Sequence, residues 1–253
     1  MANFLQNTTK TIKRLLEIAS IATHSKGGIR YLSKPNTSIA SFNILDQLSH
    51  HISDLGTVID VGANQGQFAY AVTRFFSNAV VHSFEPVPDT YEKLRFNTRF
   101  SSKIITYNFG LGSNSGKIDF YQNEHSHASS ALPISDYQKS QLPKTSKVRL
   151  ITVPVERLDN IAMAIGTIER PLLLKLDVQG YEKEVLLGAG SFMDEIDYLL
   201  FEASFVSMYE GEPLFEEMHE LVCSMGFRLI GPVGSLEVGA SQIAQMDMLY
   251  AKR

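Results

Sequence analysis

Apolar positions near the start of the chain follow a helical rhythm. Ile12, Leu15, Leu16, Ala19 and Ala22 recur at three- and four-residue spacing, which predicts a helix over about 9–23. Gly27-Gly28 and Pro35 break it, and a second helix is expected over about 39–52. The rhythm then changes. Residues 56–62 form a short apolar run ending in a turn and predict a buried strand, residues 66–76 suit a helix, and 79–85 a second strand. Pro86 and Pro88 open the next helix, with Tyr91 and Leu94 facing inward, because proline near a first turn gives up no needed hydrogen bond. A third strand is expected over 103–109 and a short extra one over 117–121. Residues 123–147 lack periodicity and read as a long loop with at most one helical turn, an insert of a size that usually has a functional reason.

Beyond the loop the alternation resumes. A strand over 148–155 and a helix over 157–165 lead to 171–178, almost wholly apolar before a polar tip, as a central parallel strand covered on both faces should be. A short helix over 181–187 closed by Gly188, a buried strand over 196–203, and a helix over 213–225 follow. The last helix carries a stripe of Leu214, Phe215, Met218, Leu221, Val222 and Met225 and stops at Gly226. Residues 227–231 and 245–251 read as a closing antiparallel pair. Strands alternating with helices predict an α/β fold, a doubly wound and mostly parallel sheet with helices on both faces, whose ligands bind beyond the carboxyl ends of the strands.

Composition narrows the class. The 253 residues are 44% hydrophobic and 20% charged, an ordinary globular mix. No run approaches the roughly 18 apolar residues of a membrane-spanning helix. The net charge of −4 argues against nucleic acid as a partner, since phosphate contacts want a basic surface. That charge is uneven, because Lys10, Lys13, Arg14, Lys26, Arg30 and Lys34 face only Glu17 in residues 1–34. The single Cys223 excludes an intramolecular disulfide and a cysteine-based zinc site and is read as a bystander. Polar residues 7–10 interrupt any signal-peptide core, so the expected location is cytoplasmic.

The strongest local signal is Asp60-Val-Gly-Ala-Asn-Gln-Gly66, between the first strand and the helix after it. Gly62 and Gly66 permit a tight turn and close approach of backbone to a ligand. Glu85, nineteen residues after Gly66, ends the next strand, where a carboxylate can accept from both hydroxyls of a ribose. A dinucleotide site would want a glycine at position 64, where Asn stands, and an aspartate before the first glycine sits badly beside phosphates. Asp60 suits instead a ligand with a positively charged amino-acid end, which S-adenosylmethionine has together with a ribose and no phosphate.

These residues, with Phe84-Glu85-Pro86, the block Leu174-Lys-Leu-Asp-Val-Gln-Gly-Tyr-Glu182 and Val185-Leu-Leu-Gly-Ala189, resemble the FkbM family of S-adenosylmethionine-dependent methyltransferases. The similarity runs over about 55–250 and includes Ser129-Ser130, 155–159 and Asp247, with Gln179 standing where many members carry Glu. The resemblance implies a Rossmann-like class I fold: seven strands, mostly parallel, the last antiparallel. It also implies O-methylation of a hydroxyl on a sugar, glycan or natural product, with a small-molecule or glycan acceptor. Carried over by position, Asp60, Gly62, Asn64, Gly66 and Glu85 would bind the cofactor, Gly110-Leu111 would flank the adenine, and Ser129 and Ser130 would lie near cofactor or substrate. Residues 1–52 are expected to form a helical extension or cap and 53–253 the methyltransferase domain.

Methyl transfer from a sulfonium needs alignment and removal of one proton. Asp60, Asp177 and Glu202 are expected at three neighbouring strand tips, with Lys175 on the same face as Asp177 in an ion-paired supporting role. Asp177 is the leading acid or base, or else the partner of the cofactor's charged end, and Glu202 follows. Glu182 reads as a helix first-turn carboxylate. Asp177 and Glu202 could give a divalent metal two oxygen ligands but lack a secure third, so no metal is assigned. His125 and His127 have the basicity to deprotonate a hydroxyl but read as solvated loop residues, and His82 and the pair His50-His51 as structural. A nicotinamide-dependent oxidoreductase and a non-catalytic cofactor-binding module are the competing classes.

Overall fold

The structure, a computed structural model, describes residues 2–34, 37–238 and 242–253. Pro35, expected to break a helix, and the side chains of Lys10, Lys13 and Arg30, half of the basic N-terminal charge, lie outside what it describes.

Three helices, α1 (Ala2–Thr23), α2 (Ile29–Leu32) and α3 (Ile39–Ser49), precede the first strand. Then follow β1 (Thr57–Val61), α4 (Gln67–Phe75), β2 (Val80–Phe84), α5 (Pro88–Thr98), β3 (Ile104–Tyr107), β4 (Gly110–Leu111) and β5 (Gly116–Asn123). The expected long loop holds three short helical segments, Ser126–Ala128, α6 (Asp136–Gln141) and Pro143–Thr145, of which the outer two are single 3-10 turns. After it come β6 (Val148–Glu156), α7 (Leu158–Ile165), β7 (Leu172–Leu176), α8 (Glu182–Ala189), β8 (Tyr198–Ser204), α9 (Phe215–Ser224), β9 (Phe227–Val238) and β10 (Gln242–Lys252), with a 3-10 segment over Gly190–Glu195.

Seven strands form the main sheet in the order β3-β2-β1-β7-β8-β10-β9, and β10 runs antiparallel to both neighbours while the other adjacent pairs are parallel. The alternation of side chains along each strand sorts its residues between two cores. Ile59, Val61, Leu174, Leu176 and Phe201 pack with α7, α8 and α9 on one face, whereas Val58, Leu173, Leu200 and Leu249 pack with α3 and α4 on the other. These side chains are almost wholly buried, each worth about 2 kcal/mol against exposure. Asp60 and Lys175 continue the second series and stand opposite one another in the β1–β7 register. Glu202 continues it on β8, beside Asp247 of β10.

Several expectations are corrected. Gly188 does not close its helix but lies inside α8, where a Cβ would come within 1.9 Å of the Gly112 carbonyl, so glycine serves close approach rather than termination. The strand expected over 227–231 extends to Val238 because β10 pairs with it throughout. On α1, Ile12, Leu15 and Leu16 are exposed, and the end of the helix docks through Ile21, which joins Tyr31, Phe42 and Phe75 in the core below α3 and α4. Two strands outside the main sheet, β5 and β6, pair antiparallel and with β4 make a separate three-stranded sheet. That small sheet stands over the tips of β1 and β2, where it walls the cavity described next.

Candidate active site

Beyond β1 the chain reverses over 62–66. Gly62 has φ +76° and a Cβ there would lie 1.9 Å from the Asp177 carbonyl, so both conformation and space demand glycine. Asn64, at φ +49°, donates its backbone N–H to Glu85 Oε2 at 3.0 Å, and the Val87 N–H donates to Glu85 Oε1 at 2.9 Å. One backbone donor on each oxygen fixes the carboxyl while leaving each a second lone pair, and Glu85 borders a cavity of about 660 Å³. Burial raises the Glu85 pKa from its ordinary 4.5 to about 7, against the two N–H groups that favour its charge.

The cavity is apolar on one side and polar at its far end. Leu111 and Pro86 with Ile118, Phe120, Val153 and Val155 form the apolar wall, and the last four come from alternate positions of β5 and β6, so one face of the small sheet turns toward the cavity. Asn64, His127, Ser129, Asp177 and Gln179 close the polar end.

The strands β1, β7 and β8 are neighbours, and Asp60, Asp177 and Glu202 come together at their tips as expected. They do so through two intermediaries. Lys175 Nζ lies 3.0 Å from Asp60 Oδ1 and 3.5 Å from Asp177 Oδ2. Burial alone would depress this ammonium, but the Asp60 and Asp177 carboxylates offset it and hold Lys175 above the usual lysine range. Burial raises Asp60. Gln179, at φ +57°, donates Nε2 to Asp177 Oδ1 at 2.8 Å and to Glu202 Oε2 at 3.0 Å, and its Oε1 accepts from the Tyr209 hydroxyl at 2.8 Å. Gln245 donates to the same Glu202 oxygen at 2.9 Å. Glu202 is half-buried and borders the second and third of the cavities described below; burial, with Asp177 and Asp247 nearby, pushes its carboxyl well up. Asp247 is raised to about 6, mainly by burial.

Two site residues stand elsewhere than expected. Asp60 borders none of the described cavities; it is fully buried beneath the turn, because its register partner Lys175 draws it into the sheet. Ser130 points into the fold, where its hydroxyl donates to the Gln179 carbonyl at 2.7 Å and accepts from the Leu132 N–H. Ser129 does border the cavity, while its Oγ accepts from the Asn123 N–H. Gly66 opens α4 in a left-handed conformation against Leu94 and Thr98, and Glu182 sits in the first turn of α8, buried, accepting from the Val178 N–H at 3.1 Å. His82 is buried and meets the Tyr107 hydroxyl at 3.0 Å. The loop histidines are closer to the site than expected. His127 Nδ1 lies 3.1 Å from Asn64 Nδ2, Ser126 donates to Asn64 Oδ1 at 3.0 Å, and His125 and His127 both border a second cavity.

That second cavity, about 700 Å³, shares His127, Asp177 and Gln179 with the first. A third, about 940 Å³, lies under Ser38, Ser41 and Ile44 at the start of α3 and also reaches Asp177, Glu202 and His127. Among the described residues no three His, Cys, Asp or Glu side chains are placed to hold a metal ion. The point between Asp177 and Glu202, where two oxygen ligands would meet, holds the Gln179 amide.

The strand order, the antiparallel β10 and the glycine turn after β1 define a Rossmann-like α/β fold. The Methyltransferase FkbM domain matches residues 60–229, and the chain belongs to that family. It is 28% identical over 144 residues to the hexuronic acid methyltransferase AglP of Haloferax volcanii, a match covering 56% of this chain and 54% of that protein. It is 26% identical over 161 residues to the 2-O-methyltransferase NoeI of Sinorhizobium fredii, covering 61% and 66%. The match therefore spans about half to two thirds of these relatives. Among solved structures, TehB of Haemophilus influenzae is similar with 13% identity and a TM-score of 0.47, over 88% of this chain and 66% of that one.

Proposed function

We propose that this chain is an S-adenosylmethionine-dependent O-methyltransferase that acts on a hydroxyl of a sugar, glycan or natural product. The observation that carries this reading is the Glu85 carboxyl, pinned by two backbone N–H groups with its free lone pairs at an apolar-walled cavity that shares Asp177 with two further cavities. When bound, the cofactor supplies an electrophilic methyl group on a sulfonium. Glu85 would accept the ribose hydroxyls, the backbone of Gly62 and Asn64 would approach the methionine part, and Leu111 with the small sheet would enclose the adenine. The printed names of AglP and NoeI support a sugar hydroxyl as acceptor.

Asp177 borders all three cavities, and its side chain is 43% exposed. On this reading it orients the acceptor hydroxyl and receives its proton as the methyl arrives, a contribution of roughly 10²- to 10⁴-fold in rate. Gln179 and Lys175 position it from either side, and Glu202 lends Gln179 an anchor.

Calorimetry with S-adenosylmethionine tests the reading. Binding to the unmutated protein and its loss in Glu85→Ala are expected; a folded protein that binds no cofactor would sink it. Asp177→Asn separates roles. Unchanged cofactor affinity with methyl transfer reduced about 100-fold or more fits a proton acceptor, whereas collapse of affinity assigns Asp177 to the cofactor's ammonium.

A further inference from the structure

Helix α1 joins the body of the protein near one end. Ile21, 1% exposed, packs with Tyr31, Phe42 and Phe75, whereas upstream Ile12, Leu15 and Leu16 are 53%, 59% and 65% exposed, and Ala19 is exposed with them. At about 100° per residue these four positions fall on one face of the helix, and Ile21, nine residues after Ile12, points to the opposite side. The stripe therefore looks away from the body, which cannot cover it. Three large apolar side chains aligned on one face differ from the scattered exposure usual on a protein surface, and mark a contact.

Charge identifies the partner. Residues 1–34 carry Lys10, Lys13, Arg14, Lys26, Arg30 and Lys34 against Glu17 alone, a balance of +5, and since the whole chain stands at −4, residues 35–253 carry −9. Lys10, Lys13 and Arg14 fall within five residues of α1, and Arg14 is exposed. An apolar stripe on a helix rich in cations suits the boundary between headgroups and acyl chains of an anionic bilayer. A second copy of α1 is a poor partner by comparison. The stripe spans about two turns, short of the three or four heptads that mark a coiled coil, and Glu17 is the only acid of the segment to offset the cations that pairing would bring together. Among the described residues no helix is long and apolar enough to cross a membrane, so α1 would lie in the surface plane. Because Ile21 is on the side opposite the stripe, the acidic body would then stand away from the lipid.

We propose that α1 is an in-plane anchor that seats Ile12, Leu15, Leu16 and Ala19 at the acyl boundary of an anionic lipid surface, where the positive charge of residues 1–34 meets the headgroups. This goes beyond the methyltransferase reading and does not rest on it.

The test is co-sedimentation of the full chain with large unilamellar vesicles of phosphatidylcholine containing about 30 mol% phosphatidylserine, and with vesicles of phosphatidylcholine alone. The protein should bind the anionic vesicles about 100-fold more tightly than the neutral ones at low salt, and less tightly in about 0.5 M NaCl. Leu15→Gln combined with Leu16→Gln should weaken binding to the anionic vesicles at least about tenfold and leave thermal unfolding unchanged, because both side chains already stand in water. The chain has no tryptophan, so Leu16→Trp places a single reporter in the stripe, and its emission should move to the blue on anionic vesicles. If the double variant does not fold, this emission decides. Failure to pellet with anionic vesicles, equal affinity for both vesicle types, or pelleting with unmoved emission from Leu16→Trp overturns the proposal. So does a lipid-free dimer, seen by sedimentation velocity, that the double variant dissociates, since the stripe would then belong to a second copy.

Discussion

Lys175 Nζ and Asp60 Oδ1 lie 3.0 Å apart between the two central strands, one side chain 8% exposed and the other not at all. A buried pair of this kind gains little over an apolar pair, yet breaking it leaves a charge stranded. Lys175→Met is therefore expected to destabilise the protein by about 3–5 kcal/mol, and Asp60→Asn combined with Lys175→Met to recover most of that loss. Urea denaturation of the two single variants and the double variant measures it; additive single effects would mean the pair is not coupled.

Glu85 makes cofactor affinity depend on pH. Its carboxyl, raised to about 7 by burial, must be ionised to accept two ribose hydroxyls, so protonation competes with binding. Binding should be about tenfold weaker at pH 6 than at pH 8. The probe is 5′-methylthioadenosine, which has the ribose without a titrating amino group. Glu85→Gln should bind more weakly at all pH values and lose this slope; a slope that persists in Glu85→Gln assigns it to another group.

Glu182 affects stability in a direction opposite to that of a surface ion pair. Burial raises it from 4.5 to about 7, so the folded state holds its proton more tightly than the unfolded state. Its contribution is present in full below pH 4.5 and is lost as pH rises through 7, a change of about 3 kcal/mol. Glu182→Gln keeps an oxygen for the Val178 N–H and should raise stability at pH 8 while changing little at pH 5. Thermal unfolding at the two pH values checks this, and an equal shift at both would point to packing rather than ionisation.

Gln179 places an uncharged amide between Asp177 and Glu202. Glu at this position would bring a third carboxyl into contact with two, and the group could bridge them only while a proton is shared. Gln179→Glu is expected to lower stability by about 1–3 kcal/mol at pH 8 and by less at pH 6. Equal destabilisation at both would show that shape rather than charge matters here.

Much of this site is legible in the sequence, for reasons that differ residue by residue. Gly62 and Glu85 are readable because a turn after a buried strand and an acid at the next strand tip are local features at fixed spacing. The pairing of Lys175 with a carboxylate follows from its apolar surroundings. Asp60 shows where local reading stops. Its neighbours in sequence suggest a ligand contact, but the β1–β7 register, a long-range property, sets it opposite Lys175 and seals it in the sheet. Gln245 and Tyr209 gave no signal, since a polar residue in an aperiodic or edge segment looks solvated until the fold folds back on it. The cavity wall could have been found, because Ile118 and Phe120, and Val153 and Val155, alternate as residues of a one-sided strand should.

His127 borders all three cavities while resting on Asn64, whose backbone N–H is bonded to Glu85. A partition shared in this way cannot shift for one occupant without reshaping the space left for another. The two ligands of the reaction are thus expected to sense one another through this side chain. By thermodynamic reciprocity, whatever factor the acceptor adds to cofactor affinity, the cofactor must return to the acceptor.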